Sequence, residues 1–241
     1  MTGLEPLAAK GGIALVKVVI ERGAPAGLGV IRSWLHGQTI MVVGPTRAGK
    51  STFVSYLRFG IFQEEDPEKD RTFKPIESPR FNLELGPNRN LEVQIKTAVD
   101  LPGSDTDQHL QVFEHRPHAL VIVLDMSAPL AAPNDIRSTT IWLEDFFRKL
   151  DQRWQGKKPS RNRLRSVIVV MNKIDLASKP QVDSYEKRYR AIVKDDFRAA
   201  RGTRLSDVHF RRTIMVEDPV KNPGGTKSID AILVDMAQSL T

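Results

Sequence analysis

Thr39-Ile-Met-Val-Val-Gly-Pro-Thr-Arg-Ala-Gly-Lys-Ser-Thr52 is the stretch that decides how this chain is read. Thr39 to Val43 is a short uncharged run of the kind that forms a buried strand. It leads into Gly44-x-x-x-x-Gly49-Lys50-Ser51, and a helix is expected behind it, to about Phe59. The two glycines let the backbone wrap tightly, so that successive N–H groups point at phosphate oxygens. The helix N-terminus adds a partial positive charge to the same spot. In such a loop the lysine reaches the β and γ phosphates and the hydroxyl binds magnesium. The phosphate-binding residues are therefore Thr46, Arg47, Ala48, Gly49, Lys50, Ser51 and Thr52. A glycine turn ahead of a surface helix is the plain alternative, and the strand before and helix after weigh against it.

Working outward, Phe81, Leu83 and Leu85 alternate with polar residues, as do Leu91, Val93 and Ile95, and Gly86-Pro-Asn-Arg-Asn90 separates them. That is a hairpin, with its second strand ending at Asp100. Ala119–Leu124 and Val167–Met171 read as buried strands and Thr213–Val216 as a last one. Leu143, Phe146, Phe147, Leu150 and Trp154 follow a helical spacing, as do Tyr185, Tyr189, Val193 and Phe197, and Ile229, Ile232, Leu233, Met236 and Leu240. Residues 63–79 are polar and read as a mobile loop. Strands and helices thus alternate, which predicts an α/β three-layer sandwich: a mostly parallel sheet with one antiparallel strand and helices on both faces. Ligands in such folds bind at the carboxyl edge of the sheet.

Two further motifs fall at that edge. Asp100-Leu-Pro-Gly103 ends a strand; its carboxylate can hold magnesium through a water, and its glycine N–H can meet a γ-phosphate. Taken alone, Asp before Pro-Gly is usually just a turn. Asn172-Lys173-Ile174-Asp175 follows the strand Val167–Met171. A carboxylate at Asp175 can accept hydrogen bonds from N1 and the exocyclic amine of guanine, whereas adenine would leave it unpaired.

In this order, each at a strand's carboxyl end, the three motifs resemble the G domain of the translation-factor-like and Ras-like GTPases over about residues 38–241. The resemblance implies a six-stranded G domain, GTP or GDP with magnesium (Mg2+), and switch loops that respond to the γ-phosphate. It also implies a magnesium-binding threonine in the first switch. Between Phe53 and Lys96 the only threonine is Thr72, which takes that role beside Ser51 and Asp100. Lys50, Arg47, Thr72 and Gly103 are then the residues expected to act on the phosphates.

The chain departs from the pattern in two places. Ser104 stands where Ras-like proteins carry the glutamine that orients the attacking water, and Gln108 and His109 are at the wrong spacing. The fifth family motif is not visible; its place is Val216-Glu217-Asp218. Arg47, fourth in the phosphate loop, resembles the arginine of guanylate-binding proteins, where it acts as a finger in cis. An arginine pointing to solvent, or paired with the acidic residues of the 64–70 loop, is equally compatible with the sequence.

The 241 residues suit one domain with a short extension. Apolar residues at 40% and charged ones at 27% exclude a wholly disordered chain. The absence of cysteine excludes disulfides, thiolate zinc sites and prenylation. Residues 1–37, rich in glycine, read as an N-terminal amphipathic extension in which Ile13–Ile20 could be strand or helix. No secretory signal is evident, and that run falls far short of the ~20 residues of a membrane span. Cytoplasmic localisation is therefore expected, with peripheral membrane association as an extension of it. Positive charge, +7 overall, gathers in Arg153–Arg165 and in Arg198–Arg212. Chain direction puts both stretches, together with residues 1–37, at the pole opposite the nucleotide, which suits an anionic membrane surface. A solvated face is the usual reading of such runs. The expected function is a GTPase switch with effector or regulator proteins as partners and a nucleotide-dependent dimer as a further mode. A hydrolysis-poor GTP-binding scaffold and an RNA- or ribosome-associated GTPase are the alternatives. Nucleic acid is the weaker partner, since no aromatic platform accompanies the charge.

Overall fold

The computed structural model describes residues 14–18, 38–59, 76–77, 81–85, 91–100, 107–127, 139–154, 164–196, 208–216 and 227–240. The strands are β1 (Ala14–Val18), β2 (Gln38–Val43), β3 (Ile76–Glu77), β4 (Phe81–Leu85), β5 (Leu91–Asp100), β6 (Ala119–Asp125), β7 (Ser166–Asn172) and β8 (Val208–Arg212). The helices are α1 (Lys50–Phe59), α2 (Gln108–His115), α3 (Thr139–Trp154), α4 (Lys179–Asp196) and α5 (Lys227–Leu240). One sheet takes all eight strands, in the order β1-β4-β5-β2-β6-β7-β8, with β3 paired to β5 outside that path. β5, β2, β6, β7 and β8 run parallel, and β4 runs antiparallel to β5.

The six strands expected are exceeded by β1 and β3. β1 pairs parallel with β4, so it too opposes the central strands, and β3 is antiparallel to β5. The stretch that the sequence left open between strand and helix is thus a strand at residues 14–18. Within the 63–79 loop, residues 76–77 belong to the sheet.

The central strands are buried on both faces, and their alternation sorts the core into two halves. Ile40, Val42, Val121, Val123, Ile168 and Val170 pack with Phe53 and Leu57 of α1 and Ile232 and Met236 of α5. Met41, Val43, Ile122, Leu124, Val169 and Met171 pack with Val112 of α2, Phe147 of α3 and Tyr189 of α4. Helices therefore cover both faces of a parallel sheet, as its apolar strands require. Each fully buried Leu, Ile or Phe side chain contributes about 1.5–3 kcal/mol from leaving water.

The last strand lies five residues earlier than Thr213–Val216. Val208–Arg212 is a charged strand whose two arginines are neutralised on opposite faces. Arg211 forms a bidentate pair with Asp235 of α5, and Arg212 bonds Glu186 and Asp183 of α4. The Thr213 N–H donates to the Met171 carbonyl at 2.9 Å and the chain then leaves the sheet. Among the described residues, no helix is long and apolar enough to cross a membrane.

Candidate functional site

Register brings the carboxyl ends of the strands to one edge. Val42 is level with Asp100, and Asp125 with Asn172. The phosphate loop leaves β2 at this edge through Gly44, whose φ of +148° suits glycine. A Cβ on Gly44 would stand 2.1 Å from the Val123 carbonyl oxygen of β6. Gly49, at φ +101°, lies just as close to Asn172: a Cβ there would be 2.5 Å from Nδ2. The two glycines are thus demanded by backbone conformation and by close approach together. α1 opens directly behind, with the Phe53 N–H donating to the Gly49 carbonyl.

Lys50 is buried, and its Nζ donates to the Pro45 carbonyl at 2.9 Å, within the curl of the loop. Ser51 is exposed in the first turn of α1, Thr46 and Thr52 are half-buried, and Ala48 is buried. Arg47 is exposed and left-handed at φ +64°, an uncommon conformation for a side-chain-bearing residue.

Asn172 and Lys173 fasten the end of β7 to this loop. Asn172 Nδ2 donates to the Ala48 carbonyl at 2.9 Å, and Oδ1 accepts from the Met215 N–H at 3.1 Å. One buried amide therefore ties the phosphate loop, β7 and the segment after β8. Lys173, left-handed at φ +59°, sends Nζ to the Arg47 carbonyl at 2.7 Å and to Asp125 Oδ2 at 2.8 Å. Asp125 closes β6, and its other oxygen accepts from the Ser127 N–H. A short 3-10 turn, Ile174–Leu176, then carries Asp175, which is exposed at the same edge.

Of the residues predicted from sequence, the structure brings together Thr46, Arg47, Ala48, Gly49, Lys50, Ser51, Thr52, Asn172, Lys173 and Asp175, with Asp100 at the adjoining strand end. Thr72, Gly103 and Ser104 lie outside the described residues, as do Glu217 and Asp218. Two residues were missed. Gln108 is buried and bonds both backbone groups of Gly44 rather than turning toward solvent. Asp125 orients Lys173. An acid ending an otherwise apolar strand was a readable signal for Asp125; nothing in the sequence marks Gln108.

The donors at this edge suit a hard divalent cation. A serine hydroxyl next to the phosphate loop and an aspartate at the neighbouring strand end are oxygen ligands of the kind magnesium takes, alongside phosphate and water. Among the described residues no group of three or more His, Asp or Glu side chains could hold a metal.

No protein-family model matches the chain, and no curated protein matches it. Solved structures match in fold. The mammalian SRP receptor is similar with a TM-score of 0.53 at 18% identity, over 83% of this chain and 100% of that one. The signal recognition particle receptor SRb-GTP/SRX complex from Chaetomium thermophilum gives 0.50 at 13% identity, over 75% and 94%. Translation elongation factor SelB from Methanococcus maripaludis, in complex with the GTP analogue GppNHp, gives 0.50 at 18% identity, over 84% of this chain. The chain spans 34% of the length of that factor and 29% of a bacterial selenocysteine-specific elongation factor, EF-Sec. The three likenesses with TM-scores of 0.50 or above show the α/β fold.

Proposed function

We propose that the protein is a guanine-nucleotide switch that binds GTP with magnesium and hydrolyses it to GDP. The observation that carries this reading is the fastening of Asn172 and Lys173 to the phosphate loop. It holds the turn that carries Asp175 beside the loop that carries Lys50, which supports a shared role for the two. The SRb-GTP/SRX complex and SelB with GppNHp support it at the level of fold.

In this reading the loop N–H groups and Lys50 hold the phosphate chain, and Asp175 accepts from the base. Lys173, held straight by Asp125 and the Arg47 carbonyl, carries its stem along the base. Ser51, Thr72 and Asp100 would hold magnesium, which supplies charge neutralisation at the phosphates. Gly103 reads the γ-phosphate. Phosphoryl transfer needs positioning and charge stabilisation more than covalent chemistry, so these groups suffice for turnover. Turnover without a partner is slow, because Ser104 replaces the usual glutamine and the Gln108 amide is engaged with Gly44. That engagement also favours a second reading, a GTP-binding scaffold that hardly hydrolyses; single-turnover hydrolysis on purified protein separates the two. Residues 14–18 add β1 to the sheet that residues 38–241 build, and effector proteins and an anionic membrane surface are the partners in this reading.

The test is base selection. Wild-type protein should bind GTP at least tenfold tighter than ATP, and Asp175→Asn should shift preference to xanthosine triphosphate, because an amide offers a donor where the carboxylate offered an acceptor. Equal affinity of the wild type for ATP and GTP in a titration overturns the guanine assignment.

A further inference from the structure

Gln108 is the first residue of α2 and is buried to 1% exposure. Its carboxamide meets both backbone groups of a single residue. The Gly44 N–H donates to Oε1 at 2.9 Å, and Nε2 donates to the Gly44 carbonyl at 3.0 Å. The arrangement reproduces the paired bonds of an antiparallel ladder just where β2 ceases to be a strand. On another side Gly44 presses against the Val123 carbonyl, so tightly that no Cβ fits. Gly44 is therefore clamped between β6 and α2. The next residue, Pro45, offers the carbonyl that holds the Lys50 ammonium.

We infer that Gln108 is a positioning residue for the phosphate loop: its carboxamide fixes Gly44 and, through Pro45, Lys50, while tying the loop to the first turn of α2. This rests on the nucleotide reading above. Glutamine is the side chain that satisfies the geometry. Glutamate has no N–H for the Gly44 carbonyl, and asparagine is one methylene shorter. Gln108 lies five residues beyond Gly103, and the coupling is reciprocal: a displacement of the first turn of α2 is felt at the start of the phosphate loop, and the reverse.

The test uses the full chain, with Gln108→Met (similar length, no amide) and Gln108→Glu. Three quantities are measured: exchange of the Gly44 amide by NMR without nucleotide, GDP and GTP affinity, and single-turnover hydrolysis at saturating GTP. In the wild type the Gly44 amide should exchange at least about tenfold more slowly than a free amide, and in Gln108→Met that protection should disappear. Loss of the two bonds should raise Kd for both nucleotides about tenfold and, because Lys50 shifts with the loop, slow hydrolysis of the bound GTP severalfold as well. A merely structural contact would lower stability and leave both affinity and turnover at saturating nucleotide unchanged. Gln108→Glu should weaken binding further and in a salt-dependent way, since it adds a carboxylate beside the phosphates. An unprotected Gly44 amide in the wild type, or a Gln108→Met protein with Kd values within twofold of wild type, overturns the proposal. If the wild type binds neither nucleotide, the guanine reading fails, and the Gly44 exchange arm alone decides whether the latch exists.

Discussion

Replacing Asn172 with alanine should loosen three elements at once. The side chain is 3% exposed and spends both ends of its amide inside the protein, on the Ala48 carbonyl and the Met215 N–H. Truncation leaves an acceptor in the phosphate loop and a donor after β8, each buried and each deprived of this partner. A buried polar group that loses its hydrogen bond costs about 1–3 kcal/mol, so the pair costs about 2–6 kcal/mol. The amide also fills the space against Gly49, where a Cβ would come within 2.5 Å of it, and alanine leaves that space empty. In a domain of this size each kcal/mol lowers Tm by about 2–4 °C, so the midpoint of thermal unfolding followed by far-UV circular dichroism should fall by roughly 4–24 °C. Asp175→Asn, three residues away and exposed, is the control and should shift Tm by less than about 2 °C. If Asn172→Ala melts as close to wild type as that control, the amide does not hold the phosphate loop to the sheet and the argument for a prebuilt base site fails.

Gly44→Ala meets both a left-handed φ and the Val123 carbonyl at 2.1 Å; it should cost more than about 3 kcal/mol, read as a lost or strongly lowered unfolding transition. Arg47→Ala should leave nucleotide affinity nearly intact and slow hydrolysis tenfold or more if the exposed guanidinium acts on the transition state; an unchanged single-turnover rate removes that role. Glu186 gives a pH prediction. Burial alone pushes its carboxyl up, but hydrogen bonds and charge from Arg190 and Arg212 outweigh this and hold it below its ordinary 4.5. A depressed folded value means stability that is present above pH 4.5 and lost as pH falls through the folded value. Glu186→Gln should therefore lower stability at pH 7 and flatten its decline below pH 4.5, measured by urea unfolding across that range.

Sequence legibility tracked how far each element explains itself locally. β4 and β5 were readable because alternation and a Gly-Pro-Asn turn are both local, and their limits matched to the residue. β8 was misplaced because His209, Arg211 and Arg212 look wrong for a strand until the carboxylates of α4 and α5 are seen across from them. Thr213–Val216 looked right, yet Asn172 captures the Met215 N–H that a strand would have used. α2 offered only Leu110, Val112 and Phe113 as apolar residues and ends on a left-handed Arg116 instead of a glycine. Within the site, motif spacing located Asn172 and Lys173, but their contacts run 124 and 126 residues along the chain. The Gln108 contact to Gly44 spans 64 residues and engages backbone only, which leaves no pattern in side-chain chemistry to read.

The charge excess takes a different meaning once the ion pairs are known. A net +7 and two basic stretches suggested a cationic pole. Arg211 and Arg212, counted in the second stretch, are engaged with Asp235, Glu186 and Asp183, and Arg190 and Arg188 reach Glu186 and Glu144. Such arginines must release a carboxylate before they can serve an anionic partner, so they contribute little attraction. Of the first stretch, Arg153 lies in the last turn of α3 and Arg165 directly precedes β7. β1 adds a constraint at the same pole. Its register carries Ala14 level with Phe81, Ile95 and hence Gln38, at the amino end of β2. A strand whose backbone is paired in the sheet is not free to lie along a bilayer.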